Sequence, residues 1–151
     1  MTGPRIDHVG LTVPDIDVAT TFLRDALDAR VLHDIVTEPL DGPDIEAALG
    51  LSRGAVVTRV RQIGLGDGAT IELFEIATRD QRHAPRLGDL GIQHLAVRVA
   101  DIDAAVRQVT DAGAVLLAAP APLPGPEAGP GRMWVYCRLP WGGLLELVSR
   151  P

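Results

Sequence analysis

Lysine is absent from this chain of 151 residues, and all 14 basic residues are arginines. Without a lysine amine, the chain can form no Schiff base and no Walker-type phosphate loop. Cysteine is nearly absent as well, since Cys137 is the only one. The sequence therefore has neither an internal disulfide nor a thiolate cluster for zinc. We expect Cys137 to be a small apolar core residue.

Long apolar runs and basic stripes are also missing. No run approaches the roughly 18 residues of a membrane span, and the first residues lack the pattern of a secretory signal, so a cytoplasmic location is expected. The formal charge of −6, without a basic stripe, argues against nucleic acid as a partner. What is present is an apolar content of 46%, ordinary for a globular protein.

The chain contains an internal repeat. Residues 6–17 align with residues 92–103 at an offset of 86, and Ile, His, Val, Asp, Ile and Asp recur in register. Each copy predicts an alternating strand, then an aspartate that can cap a helix, then an amphipathic helix. The helices are predicted over roughly 16–27 and 102–112, and each leads into another strand, at 30–36 or 114–118.

Each half then closes with a predicted pair of strands, 55–63 with 69–77 and 132–139 with 144–149. The closing strands share a triplet, IEL around Glu72 and LEL around Glu146. The pattern predicts an α+β fold made of two tandem βαβββ modules, residues 5–78 and 91–150, within a single domain spanning 1–151. Segment 39–51, with a short predicted helix at 44–50, and the proline-rich segment 120–131, predicted to be a mobile loop, fall outside the repeat.

Four polar side chains occupy equivalent positions of the two modules. His8 and His94 lie on the strand face opposite the apolar one, and each is followed two residues later by a small residue, Gly10 or Ala96. Glu72 and Glu146 are each embedded in an apolar strand, where an unpaired carboxylate costs several kcal/mol. Glu75 is the register rival of Glu72, but alternation places it on the other face.

Each glutamate therefore needs a cationic partner. Arginines could serve, and the candidates are Arg59, Arg61, Arg98 and Arg138. A divalent ion would satisfy both glutamates together and would also explain the two matching histidines. We therefore predict one metal site made by His8, Glu72, His94 and Glu146.

The segments IDHVGLTV, ATIELFEI, GIQHLAVRV and WGGLLELVS, spread over the chain, resemble the vicinal oxygen chelate superfamily. That superfamily includes glyoxalase I, methylmalonyl-CoA epimerase, extradiol dioxygenases, and fosfomycin and bleomycin resistance proteins. The resemblance implies a glyoxalase-like fold, in which paired modules form a cupped, mostly antiparallel sheet around a metal, and it implies a homodimer. The family's ligand positions fall on the same four residues, and the complete set is nearest to the glyoxalase and epimerase branches.

The resemblance and the site together predict a metal-dependent isomerase, epimerase or lyase acting on a small oxygenated molecule. One divalent ion (Zn, Ni, Co, Mn, Fe or Mg) would chelate two adjacent substrate oxygens, and a glutamate would move an α-proton through an enolate. Glu146 is the first candidate for that base and Glu72 the second. Candidate substrate-binding residues are Arg98, Trp134 and Tyr136. The alternatives are a metabolite- or drug-binding protein without chemistry and an oxygen-using ring-cleavage dioxygenase.

Overall fold

The computed structural model describes residues 3–150 and has the predicted α+β architecture. The chain divides into two compact units, the first built mainly from residues up to Arg82 and the second mainly from His83 onward. The elements, in chain order, are β1 (His8–Val13), α1 (Ile16–Leu27), β2 (Arg30–Val36), α2 (Pro43–Leu49), β3 (Val56–Gly64), β4 (Thr70–Ala77), β5 (His94–Val99), α3 (Ile102–Asp111), β6 (Val115–Leu116), β7 (Ala121–Pro122), β8 (Met133–Arg138) and β9 (Leu144–Ser149).

The first unit contains a four-stranded mixed sheet in the order β1-β4-β3-β2. β1 runs parallel to β4, whereas β3 is antiparallel to both of its neighbours. The register places His8 opposite Thr70 and Gly10 opposite Glu72. Because the first and last strands of the module are adjacent, residues far apart in sequence share one face of the sheet.

The second unit repeats this arrangement with the order β5-β9-β8-β6, and β7 additionally pairs with β8. β5 is parallel to β9, with His94 opposite Leu144 and Ala96 opposite Glu146. The segment 120–131, predicted to be a loop, contains β7 and a 3-10 turn, Gly125–Glu127. Sequence reasoning missed this short strand because two residues show no periodicity.

One face of each sheet packs against a helix, and we call it the helix face; the other is the histidine face. In the first unit the buried side chains of α1 recur at helical spacing, and the helix begins at β4, where the N–H of Ile16 donates to Glu75. In the second unit α3 packs on β9. The buried apolar residues include Ile16, Ala19, Leu23, Ala26, Ile71 and Leu73 in the first unit and Ile102, Ala105, Val109, Leu145 and Leu147 in the second.

The helices begin where the aspartates predict. The carboxylate of Asp15 accepts hydrogen bonds from the backbone N–H groups of Asp17 and Val18, and Asp101 accepts one from Ala104. The first helix ends at Asp28, which has a left-handed backbone, φ 53°. Within residues 3–150 no helix is long and apolar enough to cross a membrane. The cytoplasmic location stays a prediction.

The two modules differ mainly between β2 and β3. An offset of 86 relates His8 to His94, but Glu72 and Glu146 are 74 residues apart, so the first module is 12 residues longer between these points. The helix α2, within the segment predicted to lie outside the repeat, belongs to this insertion.

Two arginines of β3 lie on the helix face and form ion pairs there. Arg59 Nη1 contacts Asp17 Oδ2 at 2.6 Å, and Arg61 contacts both Asp17 (2.9 Å) and Asp34 (2.6 Å). Hydrogen bonds from Arg59 and then Arg61 lower the pKa of Asp17 from 3.8 to about 2. Of the arginines considered as partners for the glutamates, these two are therefore engaged elsewhere.

This cluster makes stability depend on acid pH. Because the folded pKa of Asp17 lies below the unfolded value, its contribution is complete above pH 4 and is lost as pH falls toward 2. We expect about 1 kcal/mol, since the Asp17 side chain is 65% exposed and solvent screens the pair. Asp17→Asn should remove this part of the acid destabilisation in urea unfolding curves measured from pH 6 to pH 2.

Asp103 provides the matched control. It occupies the equivalent position of α3, where β8 presents Met133 and Val135 in place of Arg59 and Arg61. Asp103→Asn should leave the slope of stability against pH almost unchanged. Equal effects of the two substitutions would contradict a role for the arginines.

Candidate metal centre

The parallel pairing of β1 with β4 brings His8 next to Glu72 on the histidine face. His8 Nε2 lies 3.4 Å from Glu72 Oε2, and the glutamate side chain is 18% exposed. Gly10, directly opposite Glu72, adds no side chain to the space between them. The contact joins two residues separated by 64 positions in sequence, and the β1–β4 pairing alone accounts for it.

The second module builds the same pair from β5 and β9. His94 Nε2 lies 3.3 Å from Glu146 Oε2, and the Glu146 side chain is 16% exposed. Ala96 takes the place of Gly10 opposite the glutamate. The structure thus arranges the four predicted ligands as two His–Glu pairs, one in each module.

The second nitrogen of each imidazole distinguishes the two pairs. His8 Nδ1 lies 2.9 Å from Asp7 Oδ2, and this hydrogen bond, with the nearby charge of Glu72, raises the pKa of His8. Gln93 stands at the position equivalent to Asp7, but its side chain donates to the Asp89 carbonyl. His94 Nδ1 is buried and has no hydrogen-bond partner among residues 3–150.

The hydrogen bond between His8 Nδ1 and Asp7 Oδ2 bears on whether the His8–Glu72 pair can hold a cation. A carboxylate accepts, so Nδ1 of His8 must carry the hydrogen. In the neutral imidazole Nε2 then bears a lone pair, and it faces a second acceptor, Glu72 Oε2. Two acceptors at this distance require a proton or a metal cation between them. The nitrogen and oxygen donors suit a divalent ion of the first transition row or Mg²⁺.

Among the residues described, no group of three or more His, Cys, Asp or Glu side chains is placed to hold a metal ion. The structure brings the four predicted ligands together only in twos, one His–Glu pair in each module. That all four residues bind one ion stays a proposal.

Tyr136 stands beside the second pair. Its backbone is in register with Glu146, and its hydroxyl lies 3.5 Å from His94 Nε2. Burial first, and then the charge and hydrogen bonding of Glu146, raise the pKa of Tyr136, so the hydroxyl keeps its proton at neutral pH. Trp134 lies edge-to-face with Tyr136 at 5.5 Å between ring centroids. Of the two predicted substrate-binding aromatics, Tyr136 thus adjoins the His94–Glu146 pair, and Trp134 contacts Tyr136.

The remaining predicted residues lie farther along the strands. Arg98 shares the His94 face, two residues beyond Ala96, and donates to the backbone carbonyl of Arg150 at 3.3 Å. Glu75, the register rival, lies on the helix face as predicted, where its Oε2 accepts from the N–H of Ile16 at 2.8 Å. Its partner explains why this carboxylate tolerates partial burial.

Sequence reasoning missed Gln62, which lies on β3 directly opposite Glu72. Gln62 and Tyr136 are 74 residues apart, the same offset that separates the two glutamates. That offset could have identified it, but a lone glutamine opposite a tyrosine does not look like a repeat. Asp7 was missed as the partner of His8 because its counterpart is Gln93.

A comparison of the sequence against known families identifies the family of this chain. Residues 7–130 match the Glyoxalase/Bleomycin resistance protein/Dioxygenase superfamily, and the chain belongs to that family. A curated relative, a 2-epi-5-epi-valiolone epimerase from Actinomyces sp., is 37% identical over 149 residues, which cover 97% of this chain and 79% of the relative.

Solved structures share the fold. A glyoxalase family protein from Bacillus cereus superposes with a TM-score of 0.76 at 22% identity, covering 99% of this chain and 95% of that one. A point mutant of the fosfomycin resistance protein FosX from Listeria monocytogenes, in complex with Mn(II), superposes with a TM-score of 0.61 at 16% identity, covering 98% and 90%. At these identities the likeness establishes the glyoxalase-like fold.

Proposed function

We propose that this protein is a divalent-metal-dependent epimerase acting on a small polyhydroxylated ketone of the 2-epi-5-epi-valiolone type. The observation that carries the proposal is the pair of matching His–Glu contacts in a chain 37% identical to an epimerase over 97% of its length. An epimerase needs an acidified C–H, which a divalent ion held by these residues would provide, and a proton carrier, which a glutamate carboxylate can be.

The residues that would hold the ion are His8, Glu72, His94 and Glu146. When bound, a divalent ion polarises a carbonyl oxygen and acidifies the neighbouring C–H. The support for this ligand set is the close approach of His8 Nε2 to Glu72 Oε2 and the equivalent approach of His94 Nε2 to Glu146 Oε2. Asp7 would hold the His8 imidazole with Nε2 free to bind the ion.

The protein's own carboxylates would move the proton. We assign removal of the α-proton to a carboxylate oxygen of Glu146, beside which the Tyr136 hydroxyl can donate. Inversion requires that a proton reach the opposite face of the same carbon, so a second acid is needed. Glu72, the equivalent carboxylate of the other module, is the residue that we assign to that step.

The proposal is tested by incubating the chain, loaded in turn with Mn²⁺, Zn²⁺, Co²⁺ or Ni²⁺, with 2-epi-5-epi-valiolone in D₂O. We expect proton NMR to show the loss of one α-proton signal and the appearance of an epimer deuterated at that carbon. EDTA should stop the exchange, and adding back one metal should restore it. Metal analysis should give about one ion for each set of four ligands.

Other outcomes identify the alternatives. Binding of the ketone without exchange, unchanged by EDTA, would favour a binding protein. Oxygen uptake with a catechol and dependence on iron would favour a ring-cleavage enzyme. Light scattering on the same preparation tests our further proposal of a homodimer, for which twice the chain mass of 16.0 kDa is expected.

A further inference from the structure

Gln62 is a buried polar side chain next to the first His–Glu pair. It is 9% exposed, and Ser149 is the other polar side chain buried to this extent in residues 3–150. Burying an amide is costly unless its hydrogen-bonding groups are satisfied. An apolar residue would fill this strand position without that cost, as Val60 does two residues earlier.

The hydrogen bonds around Gln62 fix which end of its amide faces which neighbour. The Thr70 hydroxyl donates to the backbone carbonyl of Asp7 at 3.2 Å, so its only hydrogen is used. The Thr70 oxygen must then accept from Gln62, and the bond runs from Gln62 Nε2 to Thr70 Oγ1. The NH₂ end is therefore held toward Thr70, and the carbonyl end, Oε1, is the acceptor left for another partner.

The position of Gln62 places this acceptor on the histidine face. The register sets Gln62 between Glu72 on β4 and His33 on β2. In the second module the equivalent position is Tyr136, whose hydroxyl can donate beside Glu146. The two modules thus offer unlike groups next to like glutamates: a carbonyl acceptor in one and a hydroxyl donor in the other.

We propose that Gln62 Oε1 accepts a hydrogen bond from a hydroxyl group of the substrate and so selects a polyhydroxylated ketone over its deoxy analogue. The inference rests on the proposed function for the class of substrate. Gln62 is a specificity residue in this proposal, and Thr70 is the positioning residue that keeps its amide from turning over.

The test compares binding, which needs no turnover. The metal-loaded protein is titrated calorimetrically with 2-epi-5-epi-valiolone and with analogues that each lack one hydroxyl. Wild type should bind one of these analogues about 10- to 100-fold more weakly than the parent, because a buried acceptor is then left without its donor. Gln62→Met should lose the same factor for the parent and lose nothing further for that analogue.

Two more variants separate specificity from structure. Thr70→Val frees the amide and should weaken discrimination without removing the acceptor. Gln81→Met, at an exposed glutamine outside the helices and strands, should change nothing. Gln62→Met should keep its thermal stability, since it buries an apolar chain of similar shape. An equal loss by Gln62→Met for the parent and for every analogue would overturn the proposal, and so would no loss at all.

The outcomes for the two proposals are distinguishable. If the ketone binds with the expected pattern but is not epimerised, the specificity role of Gln62 stands and the proposed function fails. If wild type epimerises the ketone while Gln62→Met discriminates among analogues as wild type does, the role of Gln62 fails alone. If neither the ketone nor any analogue binds, both are overturned.

Discussion

Replacing Glu146 by glutamine is expected to slow exchange of the substrate's α-proton with solvent by about 10³-fold while the fold is kept. Glutamine has nearly the shape of glutamate, so the Glu146 side of the contact with His94 and its register with Tyr136 should persist. What is lost is a basic carboxylate oxygen. The rate of deuterium incorporation, followed by proton NMR at saturating ketone and metal, measures the effect.

The control for this experiment lies in the same module. Glu127 forms an ion pair with Arg150, so Glu127→Gln removes a carboxylate charge that the proposed chemistry does not use. This variant should exchange the α-proton at the wild-type rate. Normal exchange in Glu146→Gln, with metal bound, would show that Glu146 is not the base. Glu72→Gln would then become the decisive variant.

Changing either histidine to alanine should weaken binding of the divalent ion by more than about 100-fold, because outer partners of metal ligands alone contribute 10- to 100-fold. If one ion is shared, His8→Ala and His94→Ala should each weaken the same single site. Titration of the apo protein with Co²⁺, read by absorbance and by metal analysis, measures affinity and stoichiometry together.

If each His–Glu pair binds its own ion, the number of ions bound per chain differs. Two independent ions, one for each His–Glu pair, would make wild type bind two, and each variant would keep one ion at native affinity. His33→Ala and His83→Ala are the controls, since neither is a proposed ligand, and both should bind metal as wild type does. Retention of wild-type affinity in His8→Ala and in His94→Ala would exclude the ligand set.

Much of the fold could be predicted because the same pattern of strands and helix occurs twice in the sequence. α1 runs over the predicted Ile16–Leu27, and β9 runs over the predicted Leu144–Ser149. Strand alternation separated Glu72 from Glu75, and the hydrogen bond from Ile16 to Glu75 agrees with that separation. These predictions succeeded because each depends on a period or a cap that is local in sequence.

The site was only partly predictable, since some of its contacts depend on neighbours that the repeat does not share. Asp7 holds His8, but its counterpart Gln93 turns to Asp89. The amide of Gln62 is oriented by its hydrogen bond to Thr70, whose counterpart in the second module is Leu144. Comparing the modules reveals what they have in common, and these residues are where they differ. The pairing of strands in three dimensions shows which neighbours each of them contacts.

The hydrogen bond between Glu75 and the first N–H of α1 helps to fix the register of β4 against β1. A slide of this strand by one residue along β1 would turn Ile71 or Leu73 toward His8, and it would also pull Glu75 away from the helix terminus. The second module anchors its last strand differently: the counterpart of Glu75 is Ser149, whose hydroxyl donates to Gly131 and accepts from the Met133 N–H. A graft of β4 into the second module, or of β9 into the first, must therefore also supply the group to which Glu75 or Ser149 is hydrogen-bonded.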